Sequence, residues 1–203
     1  MNIRKGHDWG EPADIPANAC FVNNDAEANA VISTARRAGR STPPLCLLGG
    51  DLARTVGVHN NAARLRAGEG SHLRIDLGEA LLDGRIYYFV AHLVARHSWW
   101  RGPLLVAANA AFIGNFNVAP KAHPGDGLLE IIEANPTLSE RLKARARLPS
   151  GTHLPHPQIK LRRSKATQIE LARPTPIRVD GIDVSSATRL SIRVEAAALD
   201  IWV

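Results

Sequence analysis

Residues 109–131 read NAAFIGNFNVAPKAHPGDGLLEI, and this stretch says most about the fold. Its second half places a carboxylate, Asp126, between Gly125 and Gly127 and directly before an apolar run typical of a β-strand. Glycines beside the acid permit a tight turn at the strand entrance, where a ligand's backbone or phosphate can approach closely. Such turns occur at metal or phosphate sites and also in plain hairpins, so the pattern alone leaves both interpretations open.

Length and composition limit the class of protein. The chain has 203 residues, 45% of them hydrophobic, which is typical of one large or two small globular domains. No apolar run approaches the length of a bilayer span, and Met1–Asp8 lacks a signal-peptide core, so we expect a cytoplasmic protein. Cys20 and Cys46 lie in apolar, strand-like contexts and are expected to be buried thiols rather than a disulfide.

The chain carries an excess of basic residues. With 25 Lys and Arg against 19 Asp and Glu, its net charge is +6, which favours anionic partners such as phosphates or acidic lipid headgroups. The cluster Arg141, Lys143, Arg145 and Arg147 is expected to spread over the outer face of a helix as a solvated surface. A membrane-surface or nucleic-acid patch is the alternative, and nucleic acid is disfavoured because no aromatic residues interleave with these charges.

Hydrophobic periodicity predicts a short α/β portion followed by a larger β-rich portion. Strands over Cys20–Val22 and residues 45–48 alternate with a helix over about 27–38 and a second helix that begins near Asp51, a good N-cap residue. From His72 onward the pattern turns to β, interrupted by one helix around residues 138–147. The expected strands of this part cover about 72–77, 85–94, 104–112, 128–133, 158–161, 167–171, 176–179, 189–195 and 199–203.

Two sequence blocks resemble the diacylglycerol and sphingosine kinase family. In that family an Asn-x-x-x-x-Gly strand leads to Ala-Pro and Asp-Gly-Leu-Leu, and an Arg-Pro … Asp-Gly-Glu segment follows much later. Residues 109–129 and 173–182 repeat this order, and residues 47–57 keep the family's Asp-Leu-Ala-Arg-Thr. The resemblance implies an α/β plus β fold: a truncated N-terminal α/β layer over residues 1–57, the remnant of a nucleotide-binding domain, and a β-sandwich-like domain over residues 58–203.

The loop that binds nucleotide phosphates in this family is altered. The family's Gly-Gly-Asp-Gly-Thr becomes Asn23-Asn24-Asp25-Ala26-Glu27, in which only the aspartate remains. Residues without a Cβ let backbone N–H groups approach phosphate oxygens, and the following helix N-terminus adds its positive end. Glu27 is therefore expected to place a negative charge where a triphosphate would lie, which weakens ATP binding.

Two further family elements are altered. The Thr and Asn that precede the Asp-Leu-Ala-Arg-Thr run are replaced by Leu48 and Gly50. The glutamate of Asp-Gly-Glu, which helps the substrate hydroxyl to lose its proton, is replaced by Ile182, which accepts no proton. Asp183 follows it, on the opposite face of the expected strand. These changes argue against ordinary ATP-dependent lipid phosphorylation.

The acids of the matching motifs are the candidate site residues. Asp25, Asp126 and Asp180 are expected to be catalytic, one of them as a general base on a hydroxyl or amine. Asp126 is also the candidate metal ligand, with Mg²⁺ as the candidate cofactor. The expected ligand-binding residues are Asn23, Asn24, Asp51, Asn109 and His123. His92 is expected to be a core histidine, whereas Trp99 and Trp100 either wall a ligand cleft or seal a core edge.

Three functions remain open at this point. The first is a repurposed non-kinase enzyme, for instance in specialised metabolism, that acts on an anionic small-molecule or lipid-like substrate. The second is a catalytically inactive pseudokinase or regulatory subunit, and the third is a residual ATP-dependent diacylglycerol-type kinase. Because a truncated sheet leaves an edge or an apolar face uncovered, we also expect homo- or hetero-oligomerisation through the α/β portion.

Overall fold

A computed structural model describes residues 10–58 and 61–203 of the chain. Its strands and helices follow in chain order, with a short 3₁₀ turn at Leu148–Ser150. They are β1 (Glu11–Asp14), β2 (Cys20–Val22), α1 (Asp25–Arg37), β3 (Leu45–Leu47), α2 (Asp51–Thr55), α3 (Ala62–Arg66), β4 (Glu69–Leu82), β5 (Arg85–Phe89), β6 (His92–Arg96), β7 (Leu104–Ala108), β8 (Phe112–Ile113), β9 (Phe116–Asn117), β10 (Leu129–Ala134), α4 (Leu138–Arg147), β11 (Ile159–Ser164), β12 (Ala166–Val179) and β13 (Ile182–Trp202).

Strand β13 joins the two parts of the fold because it pairs with strands of both. Its last residues pair in parallel with β3, Ile201 opposite Leu45, and β3 pairs in parallel with β2. Its first half pairs antiparallel with β12, and β4 runs along its other side. From β12 the sheet continues through β6, β7, β10 and β11. The predicted α/β plus β fold is confirmed, while the division at residue 57 stays a prediction.

Two large apolar cores support this sheet. The first lies where α1 and α2 pack on β2, β3 and the ends of β4 and β13, and includes Ile32, Leu52 and Ile75. The second fills the β-rich part, where Leu93, Ile131 and Ile177 are almost completely buried. Burial of these side chains from several distant strands is what holds the α/β layer and the β-rich part in one body.

Most elements match the sequence prediction, with differences at irregular points of the strands. The region 85–94 was expected to be one strand but forms two, β5 and β6, because the strand is interrupted at Val90 and Ala91. The region 104–112 was also expected to be one strand and divides into β7 and β8. Conversely, 167–171 and 176–179 belong to the single strand β12, whose pairing shifts register after Glu170. Likewise, the strands expected over 189–195 and 199–203 are parts of β13, which shifts register after Glu195 and ends at Trp202.

Helix α4 lies where it was predicted, but one of its arginines faces the protein interior instead of solvent. Its arginines were all expected on a solvated surface, and this is wrong for Arg141, which is 7% exposed. The Arg141 guanidinium donates hydrogen bonds to the backbone oxygens of Pro136, Trp99 and Gly102. A buried guanidinium needs such acceptors, and here they tie α4 to the loop between β6 and β7.

Several expectations about surfaces can be checked in the described ranges. Both thiols are free; Cys46 is buried as expected, whereas Cys20 is only half-buried. None of the helices in residues 10–58 and 61–203 combines the length and apolar character needed to cross a bilayer. The signal-peptide expectation concerns residues outside these ranges.

Strand β2 pairs on one side with β3, and Phe21 in it is 44% exposed; oligomerisation through this portion stays a prediction.

The contact between Gly78 and Phe89 gives a test of the packing. A Cβ added at Gly78 would lie 2.2 Å from the ring of Phe89, which is fully buried opposite it on β5. Gly78→Ala is therefore expected to lower the free energy of unfolding in urea by about 1–3 kcal/mol through overpacking. Leu81→Ala, at a position of β4 that is 41% exposed, is the control and should cost clearly less. Equal losses would contradict this packing.

Candidate functional site

A cavity of about 360 Å³, called the cleft below, lies where the two parts of the fold meet. Its walls come from the starts of α1 and α2, from β6 and from the turn between β12 and β13. Four residues predicted from sequence line it, together with two that were not predicted as site residues. These are Asn24, Asp25, Asp51 and Asp180, and then His92 and Arg178.

Hydrogen bonds among Asn23, Asn24 and Glu27 cap the start of α1. Asn24 is the N-cap, and its Oδ1 accepts a hydrogen bond from the Glu27 N–H at 2.9 Å. The Glu27 carboxylate in turn accepts from the backbone N–H of Asn23 at 2.8 Å and from the amides of Asn23 and Asn24. This is a variant of the capping box, and the bonds from Asn23 are the main reason why the pKa of Glu27 is lowered. An anionic group of the chain therefore sits at the helix end that favours anions.

Asp25 connects the starts of the two helices. Its carboxylate accepts from the N–H groups of Asp51 and Leu52 at 2.6 and 3.1 Å, so it caps α2 from outside. The expectation that Asp51 is the N-cap is wrong, because Gly50 holds that position and Asp51 is the first helical residue. Gly50 has φ +105°, and a Cβ there would lie 2.6 Å from Asp25 Oδ1. Burial raises the pKa of Asp25 to about 6, against the opposing effect of its hydrogen bonds.

Asp180 stabilises the interruption between strands β5 and β6 by accepting hydrogen bonds from its backbone. Its carboxylate accepts from the backbone N–H groups of Val90, Ala91 and His92 at 2.9–3.0 Å, and from the side-chain amide of Asn29 in α1 at 2.9 Å. The residue is 7% exposed and lies in the turn between β12 and β13. Burial raises the pKa of Asp180 to about 7, although these donors favour the ionised form. Asp180 thus ties three distant segments together.

Asp51 and His92 face each other across the cleft. The Asp51 Oδ1 accepts from the Gly114 N–H at 2.8 Å, and its Oδ2 lies 3.9 Å from His92 Nδ1. The other ring nitrogen, Nε2, lies 3.0 Å from the carbonyl oxygen of Ala110 and must carry the hydrogen, since a carbonyl only accepts. Burial lowers the pKa of His92 to about 4, so the ring is neutral at pH 7 and Nδ1 is an acceptor.

The gap between these two groups is a place for a hydrogen-bond donor. Burial also raises the pKa of the Asp51 carboxyl. Two acceptors do not hydrogen-bond to each other, and a group placed near both can donate a hydrogen to Asp51 Oδ2 and, when it carries a second hydrogen as water or an amine does, also to His92 Nδ1. Sequence reasoning identified His92 as a core residue, and its burial is confirmed. It missed this pairing, because His92 is hidden in an apolar run and Asp51 lies 41 positions earlier in the chain.

The other predicted site residues form a second group around the turn at Asp126. Asp126 Oδ1 accepts from the Leu128 N–H at 3.0 Å, its Oδ2 pairs with Arg163, and His123 Nδ1 accepts from the Gly125 N–H. Asn109 is buried and donates to the carbonyl oxygens of Asp76 and Val90. These residues are not among those that line the cleft in the described chain. Their roles in catalysis or ligand binding stay predictions.

Asp76 is a structural residue of this second group that sequence reasoning missed. It is 1% exposed, and its carboxylate accepts from the N–H groups of Gly127 and Ala197 at 2.6 and 2.8 Å. It thereby ties the turn at Asp126 to the register shift of β13. An aspartate inside a long apolar strand, with no partner nearby in the sequence, is the signal that could have found it.

The described residues offer no evident metal site. Within 10–58 and 61–203, no group of three or more His, Cys, Asp or Glu side chains is arranged to hold a metal ion. The Asp126 carboxylate is committed to Arg163 and to its own turn, so the residues around it do not fit the oxygen ligands that Mg²⁺ requires. The sequence expectation of Mg²⁺ at Asp126 stays a prediction.

A second, apolar cavity of about 660 Å³ adjoins the cleft. The two cavities share Trp99, Ile113 and Arg178 as lining residues. Apolar and aromatic side chains form most of the second cavity, and the polar residues in its wall are Asn115, Arg141, Arg145, His153 and Arg178. The interpretation that the tryptophan pair walls a ligand cleft is therefore supported, since Trp99 lines both cavities and Trp100 lines the apolar one.

Comparison with known proteins gives the family. Residues 53–203 match the family described as the YegS C-terminal NAD kinase beta sandwich-like domain, and the chain belongs to this family. The resemblance seen in the sequence and the β-sandwich-like C-terminal domain are thereby confirmed. A search of curated proteins found no match.

Three solved structures, all of proteins from Bacillus anthracis str. Sterne that bear the name diacylglycerol kinase, share the fold. The first is 13% identical with a TM-score of 0.68, over 91% of this chain and 77% of that one. The second is 16% identical with a TM-score of 0.69, over 90% and 76%. The third is 16% identical with a TM-score of 0.57, over 79% and 66%.

The environment of His92 predicts a pH dependence. The folded protein holds the pKa of the ring at about 4, below its ordinary value of 6.5, so the unfolded chain takes up the proton first as the pH falls. His92 therefore contributes stability above pH 6.5 that is lost as the pH falls towards 4. The difference in free energy of unfolding between the wild type and His92→Gln should shrink by up to about 3 kcal/mol across this range.

Urea unfolding at several pH values measures this difference. Asp25 and Asp180 titrate in both proteins, so their effects cancel in the comparison. His97→Gln, at an exposed histidine, is the matched control for replacement of an imidazole by an amide. A constant difference for His92→Gln would show that the ring is not held neutral.

Proposed function

We propose that the chain is a non-kinase enzyme built on the lipid-kinase fold, with Asp51 as the general base for a hydroxyl or amine group of an anionic, amphiphilic small molecule. The observation that carries the proposal is the gap of 3.9 Å between Asp51 Oδ2 and His92 Nδ1, two acceptors that face each other in the cleft. A bound O–H or N–H group fills such a gap well, and a carboxylate of raised pKa is suited to take its proton.

The choice of Asp51 over the other acids rests on their hydrogen bonds. Asp25 accepts two backbone N–H groups, and Asp180 accepts three together with the Asn29 amide. Asp126 pairs with Arg163 and caps its own turn. These carboxylates are used to hold loops, whereas Asp51 Oδ2 points at another acceptor across open space. The side chain of Asp51 is 25% exposed, so a ligand can reach it.

The chemistry is group transfer with acid–base assistance. As the nucleophilic oxygen or nitrogen forms its bond to a carbonyl or phosphoryl centre, its proton passes to Asp51 Oδ2. His92 Nδ1 accepts a second hydrogen when the nucleophile is water or an amine, which fixes its orientation. The leaving group departs as an anion, and the guanidinium of Arg178 in the wall of the cleft stabilises that charge.

Two observations favour this over ATP-dependent phosphorylation. The Glu27 carboxylate accepts the Asn23 N–H just ahead of α1, and the Asn24 side chain accepts the Glu27 N–H, so a nucleotide phosphate at this helix start would meet a carboxylate of the chain and compete for these N–H groups. The position of the family's catalytic glutamate is Ile182, which is 42% exposed, and Asp183 beside it lies 2.8 Å from the Arg178 Nε. The apolar cavity next to the cleft suits the hydrophobic body of an amphiphile.

A catalytically inactive binding subunit is the second candidate. It is favoured by the number of acids in and near the cleft whose oxygens are already hydrogen-bonded, because a site without a free base binds without turnover. A residual diacylglycerol-type kinase is the third candidate, and it rests on the fold alone.

Hydrolysis of amphiphilic p-nitrophenyl substrates tests the proposal. The probes are p-nitrophenyl decanoate and p-nitrophenyl decyl phosphate, whose apolar tails fit the second cavity and whose leaving group is an anion. Asp51→Asn is expected to lower kcat about 100-fold or more with little change in KM, because it removes the base but keeps the side-chain shape. Arg178→Gln should also slow the reaction, and Glu133→Gln, at an exposed position away from the cleft, is the control.

The alternatives give different results in the same series. Turnover that Asp51→Asn leaves unchanged would refute the general-base role. A rise in melting temperature with decyl phosphate but no turnover of either probe would favour the binding subunit. Transfer of label from ATP to diacylglycerol in the presence of Mg²⁺ would favour the residual kinase.

A further inference from the structure

We propose that a face formed by Trp99, Trp100, Leu138 and Leu142, called the α4–tryptophan face below, docks on the surface of an anionic lipid bilayer without crossing it. The two tryptophans are 42% and 43% exposed, and the two leucines are 50% and 53% exposed. Large apolar side chains that are this exposed in one region mark an interaction surface. The inference is independent of the chemistry proposed for the cleft.

The four residues belong to one region because α4 and the tryptophan loop are bound together. Arg141 donates from α4 to the carbonyl oxygens of Trp99 and Gly102, and the guanidinium of Arg145 lies 5.5 Å from the centre of the Trp100 ring. Leu138 and Leu142 are one helical turn apart and lie seven and three residues before Arg145, so they share its side of the helix. The leucine pair and the tryptophan pair therefore both border Arg145.

The charges around this face are complementary to anionic lipids. Arg101, which directly follows Trp100, and Arg145, which lies between the leucine pair and the Trp100 ring, are both exposed. The acid of α4, Glu140, is bound in a capping box with Thr137, which accounts for its lowered pKa. Exposed Trp and Leu side chains flanked by Lys and Arg are the composition of segments that lie in the bilayer interface, where indole rings sit at the headgroups and basic residues meet acidic lipids.

The apolar cavity borders the α4–tryptophan face, which supports a lipid bilayer as the partner of this face. Trp99, Trp100, Arg141 and Arg145 belong both to this region and to the wall of the cavity. An amphiphilic molecule that leaves a bilayer docked here would therefore meet the cavity directly. The cluster that was expected to form a solvated helix face thus includes one inward arginine, Arg141, and one basic residue beside the apolar patch, Arg145, while Lys143 and Arg147 lie on the other side of α4.

Flotation with lipid vesicles tests the proposal on the full chain. Binding is expected to phosphatidylcholine vesicles that contain phosphatidylglycerol, and it should weaken with added salt and with pure phosphatidylcholine. Leu138→Ser/Leu142→Ser should lower the partition coefficient roughly tenfold or more, since two apolar side chains are lost. Arg101→Gln/Arg145→Gln should lower it about fivefold per charge, because these two basic residues adjoin the face.

Two exposed apolar residues elsewhere on the protein provide a matched control. Leu81 and Ile86 are paired across β4 and β5 and are 41% and 51% exposed, so Leu81→Ser/Ile86→Ser removes similar apolar area elsewhere. Circular dichroism confirms that each variant is folded. A second readout, which does not depend on the leucine variants, is quenching of tryptophan fluorescence by brominated lipid, and Trp99→Phe/Trp100→Phe should abolish most of it.

Three results would overturn the proposal. They are the absence of binding to the anionic vesicles, an equal loss of binding in the Leu81/Ile86 control, and self-association in sedimentation that the Leu138/Leu142 variant abolishes. The last result would assign the face to a second copy of the chain.

Discussion

Buried backbone N–H groups must find acceptors, and the structure around the cleft depends on how this chain meets that requirement. Its motif acids are the acceptors: Asp25 caps α2, Glu27 binds the start of α1 with Asn24, and Asp180 takes three N–H groups at the break between β5 and β6. Asp76 does the same for the turn at Asp126. The acids that suggested catalysis in the sequence are thus the groups that fix the loops.

Because these acids bind backbone N–H groups, they limit which ligands the cleft can accommodate. An anion-binding helix start that holds its own carboxylate is a poor place for a nucleotide phosphate. Asp51 Oδ2 and His92 Nδ1 face each other 3.9 Å apart in the cleft, and the Ala110 carbonyl sets the tautomer in which Nδ1 is an acceptor. The site therefore suits a hydrogen-bond donor with an apolar body, and the neighbouring cavity extends it in that direction.

The sequence predicts the parts of the fold that local patterns determine. Helix α1, strand β2 and helix α4 follow from periodicity and caps, and the motif blocks indicate the family. The break at Val90 was not predictable in this way, because its acceptor Asp180 lies 90 positions along the chain. The same holds for Arg141, which reaches Trp99 across 42 positions, and for the pairing of Asp51 with His92. Long-range hydrogen bonds leave little trace in a single sequence.

Titration of the wild-type protein with ADP and Mg²⁺, followed by calorimetry and by the backbone amide signals of residues 23–27, tests the central claim most directly. Because the Glu27 carboxylate already accepts the Asn23 N–H and the Asn24 side chain already accepts the Glu27 N–H, we expect no saturable heat and no shift of these amides. Saturable binding accompanied by shifts of the Asn24 and Glu27 amides would contradict it.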